Sequence, residues 1–180
     1  MAAQEKEMER RFGMPDRLSK IQPLAQSELD FIKSTVSGGR AHDITLFIAK
    51  GDSFIFIAKP FYPPGLFRAP SGGVHPNEDF ETGAKREARE ETGVEIELEK
   101  YILRIEVHFQ APDDYFDWTT YIYTARYLSG EIDPQDKREI SAAKLVGLDE
   151  VPKFKEIMRS TGRGGFAYRA FLTDEAIKRL

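Results

Sequence analysis

Residues 44–59 read ITLFIAK-GD-SFIFIAK, two β-rich runs on either side of Gly51-Asp52. Glycine and aspartate both accept tight-turn backbone, so the pair predicts a hairpin. Three further strands are expected, over 94–109 (in two pieces), 118–128 and 143–148. Between them lies KREAREETGV, Lys85 to Val94, which places Glu87, Glu90 and Glu91 within five residues. In a helix these carboxylates fall at i, i+3 and i+4 and share one face. Like charges so spaced cost roughly 0.2–0.5 kcal/mol per pair, which either arginines and water absorb or a cation relieves.

The rest of the chain fills in around that helix. EKEMERRFG reads as a polar helix ending at Gly13, and SELDFIKSTV as an amphipathic helix with Ser27 at its N-cap. SGGR, 37–40, reads as a flexible break. Four prolines in PFYPPGLFRAP make 60–70 irregular, with room for a short strand at 66–68. A loop over 72–78 feeds a helix over 79–92 that stops at Gly93. A further helix is expected over 148–160 with Pro152 in its first turn, and a terminal one over 173–180 whose acidic start and basic end suit the helix dipole. TGRGG between them reads as a linker. Strands flanking one central helix predict an α+β chain, a mixed sheet packed between helices as an α/β/α sandwich. Residues 1–40 read as a helical extension and 41–180 as the main domain.

Composition narrows the function. A net charge of −4 over 180 residues argues against a general nucleic-acid binder, and the absence of cysteine removes disulfides, thiolate metal sites and cysteine nucleophiles. No apolar run reaches membrane-spanning length or resembles a secretion signal, so a cytoplasmic protein without membrane contact is expected.

Widened to Gly72–Val94, GGVHPNEDFETGAKREAREETGV resembles the Nudix box: G, five residues, E, seven residues, then R-E-U-x-E-E-x-G-U, where U is aliphatic. Gly72, Glu78, Arg86, Glu87, Glu90, Glu91 and Gly93 occupy the fixed positions and Val94 the last U. Seven such matches arise by chance in about 1 in 10⁸ windows. Two positions depart from the pattern: Ala88 is small for its aliphatic position, and Asn77 stands where many members have glycine.

The resemblance implies a metal-dependent hydrolase that cleaves a nucleoside diphosphate linked to another moiety. A nucleotide-sugar or ADP-ribose type of substrate is favoured over nucleoside triphosphates and dinucleoside polyphosphates. A non-catalytic nucleotide sensor is the alternative from another class. The related isomerases of prenyl diphosphates need a cysteine that this chain lacks. By the resemblance Glu87, Glu90 and Glu91 hold Mg²⁺, or Mn²⁺, with Glu78 secondary and Arg86 orienting the carboxylates. Glu139, in DPQDKREI, is the candidate base ahead of Asp133 and Asp136. Arg68 and Phe67 are candidate phosphate and base contacts, while Gly72 and Gly73 allow a tight turn at the substrate. A small nucleotide-diphosphate substrate, no specific nucleic acid and a homodimer complete the expectation. The three histidines show no metal-ligand spacing.

Overall fold

The computed structural model describes residues 2–36 and 40–180, so the break expected at 37–40 lies largely outside the described residues. Twelve elements follow in order: α1 (Ala2–Phe12), β1 (Asp16–Pro23), α2 (Gln26–Thr35), β2 (His42–Lys50), β3 (Ser53–Ala58) and β4 (Ser71–Gly72), then α3 (Phe80–Thr92), β5 (Glu95–Gln110), β6 (Tyr115–Ser129), β7 (Ala142–Gly147), α4 (Val151–Ser160) and α5 (Gly164–Ile177). All seven strands form one mixed sheet in the order β1-β5-β6-β2-β3-β7, with β4 paired to β2.

Two apolar layers hold helices on opposite faces. Phe80, Ala84 and Ala88 of α3 and Met8 of α1 pack on Ile44, Leu46, Ile48 and Tyr123 of the sheet. On the other face Leu29 of α2, Phe154 of α4 and Phe166 of α5 pack on Phe47, Phe56 and Ile105. Ala88 is fully buried, so its small side chain brings α3 close to the sheet. A side chain such as Phe80, 1 % exposed, adds about 1.5–3 kcal/mol by leaving water. The α/β/α sandwich expected from the sequence is the fold observed.

The sheet forks beside α3. From His42 to Ala49, β2 pairs with β6 in parallel. Its other edge is shared: Ala49 and Lys50 meet β3, while Ile44 and Thr45 meet Gly72 and Ser71 of β4. From the hairpin, β3 turns away to pair with β7. Between β3 and β4 the short strand expected near 66–68 is reduced to an isolated bridge between Ile57 and Arg68, and the Leu46 N–H donates to the Pro70 carbonyl at 3.0 Å.

Several local expectations need correction. Residues 16–23, unassigned in the sequence, form β1, which runs parallel to β5 from Asp16 beside Leu103 to Pro23 beside Gln110. Residues 95–110 are one strand rather than two; register shifts at Leu98/Lys100 and Tyr101/Leu103 bend it without ending it. α2 begins after Ala25, not Ser27, because Glu28 reaches back to accept the Ala25 N–H at 3.4 Å. The linker expected at 161–165 ends at Gly164, where α5 already starts, nine residues before the terminal helix was expected.

Candidate active site

Asp79 caps α3 by accepting the Thr82 N–H at 2.7 Å, and Gly93 closes it at φ 80°. Only a residue at ease in the left-handed region ends a helix this way without strain. Between these caps, α3 carries Arg86, Glu87, Glu90 and Glu91.

Arg86 is the hub. Its Nε and one Nη donate to the two oxygens of Glu78, each at 2.9 Å. The other Nη donates to Glu87 at 2.8 Å and Glu90 at 3.0 Å, and the Gly73 carbonyl accepts a further bond at 2.7 Å. One guanidinium thus gathers three carboxylates, which absorbs the repulsion noted in the sequence. The Arg86 bonds and the His75 N–H hold the Glu78 carboxyl below its usual range. Burial pushes Glu87 up to about 7, with the neighbouring Glu91 and Glu90 charges adding to the rise.

Glu91 points elsewhere. It is 3 % exposed, accepts the Ser71 N–H at 2.8 Å and lies 3.5 Å from the Lys59 ammonium. Burial raises its pKa against the pull of Arg68 and Lys59. Lys59, just past β3, also pairs with Glu139 at 3.0 Å, so the downstream candidate base joins the same cluster through a lysine. Glu139 itself is largely exposed. Asp133 and Asp136 pair instead with Lys137 and Arg138.

Gly72 and Gly73 serve a purpose other than the tight turn expected. Neither has positive φ. A Cβ at Gly72 would overlap the Glu87 carboxyl group, and one at Gly73 would overlap the Arg40 guanidinium. Both glycines let charged groups lie against the backbone. Asn77 does sit in the left-handed region, at φ 69°, which explains how it replaces the glycine common there.

Above this cluster opens a cleft of about 750 Å³. Arg86, Glu87, Glu90, Lys59 and Glu139 line one part, and Arg40, Arg138 and Arg169 add positive charge. Arg68 also reaches the cleft, but it is 5 % exposed and bonded to the Ala69 carbonyl at 2.6 Å, to Ser71 Oγ at 2.9 Å and to Tyr62. Phe67 packs against the core beside Phe154 rather than in the cleft.

One group in the cleft was not foreseen. Asp43 is 4 % exposed and accepts from Trp118 Nε1 at 2.9 Å, Thr120 Oγ1 at 2.7 Å and Arg169 at 3.1 Å. Its partners lie 75 or more residues away, so no local pattern could have marked it.

The donor chemistry suits a hard divalent cation, since Glu87, Glu90 and Glu91 offer only carboxylate oxygens beside a cleft. Among the described residues no three acidic or histidine side chains already converge as a cage. Arg86 instead gathers Glu78, Glu87 and Glu90, while Lys59 lies beside Glu91.

A model of the NUDIX domain matches residues 39–163. The chain belongs to the NUDIX domain family. Its box and fold are those of that family, whose members generally use divalent metal ions. Among curated relatives, the NAD-capped RNA hydrolase NudC of Stutzerimonas stutzeri (strain A1501) is 32% identical over 105 residues, 58% of this chain and 36% of that protein. Nudix hydrolase 2 of Arabidopsis thaliana is 33% identical over 92 residues, covering 50% of this chain and 31% of the relative. The chain thus spans about a third of the length of the curated relatives it matches. Among solved structures, a NUDIX hydrolase from Nitrosomonas europaea aligns at TM-score 0.52 and 17% identity over 66% of this chain and 79% of that one. A UDP-X diphosphatase aligns at TM-score 0.52 and 13% identity, over 84% of this chain and 73% of the other. These two likenesses establish the fold of the Nudix chain and nothing finer.

No helix of this Nudix chain is long and apolar enough to cross a membrane, among the described residues.

Proposed function

We propose that the chain hydrolyses the diphosphate linkage of a nucleoside diphosphate joined to a second moiety, with Mg²⁺ or Mn²⁺ held by Glu87, Glu90 and Glu91. The observation that carries this is the cluster itself: Glu87 and Glu90 line a cleft whose other charged groups are largely basic, with Glu91 buried next to them on α3. A diphosphate with bound cations matches that arrangement, because the acidic groups take the metal and the basic ones the phosphate oxygens.

When bound there, the cation neutralises the diphosphate and lowers the pKa of a coordinated water. The protein's own groups do the rest. Arg86 orients Glu87 and Glu90 and keeps Glu78 ionised. Glu91 is fixed by the Ser71 N–H, which sets the spacing between α3 and the sheet. Glu139, exposed and tethered through Lys59, is the carboxylate that takes a proton from the attacking water. Arg40 and Arg169 orient the phosphates.

The relatives named NAD-capped RNA hydrolases favour a linkage between two nucleosides, since NAD is itself such a diphosphate. This moves dinucleotides up beside the nucleotide sugars and ADP-ribose favoured from the sequence, all ahead of nucleoside triphosphates. The test is a panel of these compounds with Mg²⁺ or Mn²⁺, following phosphate-bearing products. Cation-dependent cleavage at the diphosphate supports the reading. No turnover on any compound, with nucleotide binding retained, moves the protein to the sensor class.

A further inference from the structure

Among thirteen phenylalanines, only Phe31 and Phe61 are exposed, at 54% and 60%. Both line the cleft that holds the box carboxylates. Single exposed apolar residues are ordinary on a surface. Two aromatic rings exposed in one charged cleft, with every other phenylalanine at least partly buried, call for an occupant.

The walls that carry them are firmly built. Phe61 lies edge-on to Tyr62 at 5.1 Å, and Tyr62 edge-on to Phe166 of α5 at 5.4 Å. Phe31 projects from α2. Glu28, one turn earlier on α2, accepts the N–H groups of Gly164 at 3.1 Å and Gly165 at 3.2 Å, so one carboxylate caps the start of α5 as well as α2. Leu24 and the Pro23 carbonyl sit so close to Gly164 that a Cβ there would overlap them. Asp16 pairs with Arg179 at 2.9 Å, and the Lys20 ammonium lies 4.5 Å from the Phe171 ring centroid. The segments before and after the matched family region, residues 39–163, therefore clasp each other, and both contribute residues to the cleft lining.

We propose that Phe31 and Phe61 grip a planar group of the substrate, a nucleobase or a comparable aromatic ring, and that Glu28 is the positioning residue that holds α2 and α5 at the spacing this requires. The proposal rests on the diphosphate-hydrolase reading and adds the recognition element for one end of the substrate. Stacking on an aromatic face tolerates any base, so the subsite selects for planarity and size rather than for base identity.

The test uses the full chain and the panel compound that it cleaves fastest. Phe31→Ala and Phe61→Ala each raise KM about tenfold or more, with kcat within about twofold of wild type, as expected for lost stacking on a base. Phe31→Trp restores KM, whereas Phe31→Leu, apolar but not planar, does not. Titrating ADP into the Phe31→Trp variant in EDTA quenches fluorescence beyond the change from native Trp118, a readout independent of turnover. Glu28→Gln raises KM for the same compound, and kcat holds. Normal hydrolysis with unchanged KM in both alanine variants overturns the subsite and leaves the reaction assignment standing. Rescue by leucine equal to that by tryptophan overturns it too. Quenching by ADP in a protein that cleaves nothing supports the subsite while removing the hydrolase reading.

Discussion

Arg86 grips Glu78 with two parallel hydrogen bonds of 2.9 Å, across the eight residues that link the loop before α3 to its middle. The same guanidinium holds Glu87 and Glu90, so its removal leaves three carboxylates without their common partner. Arg86→Ala should cost about 2 kcal/mol, below the figure for a fully buried pair because the site opens to a cleft. Urea denaturation without metal reads this directly; an unchanged midpoint would mean that solvent alone can absorb the charge. Arg86→Lys should recover only part of the loss, since an ammonium cannot bond Glu78 through a planar fork.

Glu91 separates metal chemistry from folding. Glutamine keeps an oxygen that can accept the Ser71 N–H, so Glu91→Gln should melt within a few degrees of wild type. Activity should fall at least about 100-fold, as expected when a group that acts in the transition state is lost. EDTA should stop the wild-type enzyme, and added Mg²⁺ or Mn²⁺ should restore it. Full activity in the variant would remove Glu91 from the metal set.

His42 gives the fold a pH dependence of its own. Its ring lies against the Phe80–Tyr121 pair, centroids 5.9 and 6.0 Å away, and its Nε2 has no partner among the described residues. Burial lowers its pKa from the usual 6.5, and the Arg40 charge lowers it further, against a smaller opposing pull from Asp43. The unfolded chain therefore takes up a proton that the folded one resists. This contribution is whole above about pH 6.5 and is lost as pH falls below it. Melting temperatures at pH 8 and pH 5.5 should differ less in His42→Phe than in wild type. An identical drop in both would place the acid sensitivity elsewhere.

Asn77 offers a backbone test. At φ 69° asparagine is tolerated and a β-branched side chain is not. Asn77→Val should destabilise by roughly 1–2 kcal/mol, while Asn77→Gly should be neutral or slightly stabilising. Equal melting temperatures for the two variants would show that the loop relaxes out of this conformation.

What the sequence disclosed and what it withheld divide by distance along the chain. The β2–β3 hairpin and α3 with its cap at Gly93 were legible because their determinants are local: a turn dipeptide, a 3.6-residue pattern, a glycine stop. β1 was invisible because its partner, β5, lies more than eighty residues away and only Gln22 of the strand is buried. Gly164 and Gly165 read as a linker because glycine weakens helices. The carboxylate that caps them belongs to Glu28, 136 residues earlier at Gly164. Among the candidate site residues, the shared helix of Glu87, Glu90 and Glu91 was readable from spacing, but their wiring was not. Nothing in the spacing says that Arg86 serves three glutamates while Glu91 turns to Ser71 and Lys59, or that Arg68 would be enclosed by Tyr62 and Ser71.

The fork in the sheet has a consequence for how such a protein can change. Because β3 leaves β2 where β4 joins it, one opening admits side chains from both helical layers. The glutamates come from α3 on one face, and Phe31, Phe166 and Arg169 come from α2 and α5 on the other. On the proposed reading, reactivity and substrate preference would reside on opposite sides of the sheet. Mutations in α2 and α5 can explore new cargo while the acidic helix, anchored by its own caps and arginine, stays as it was.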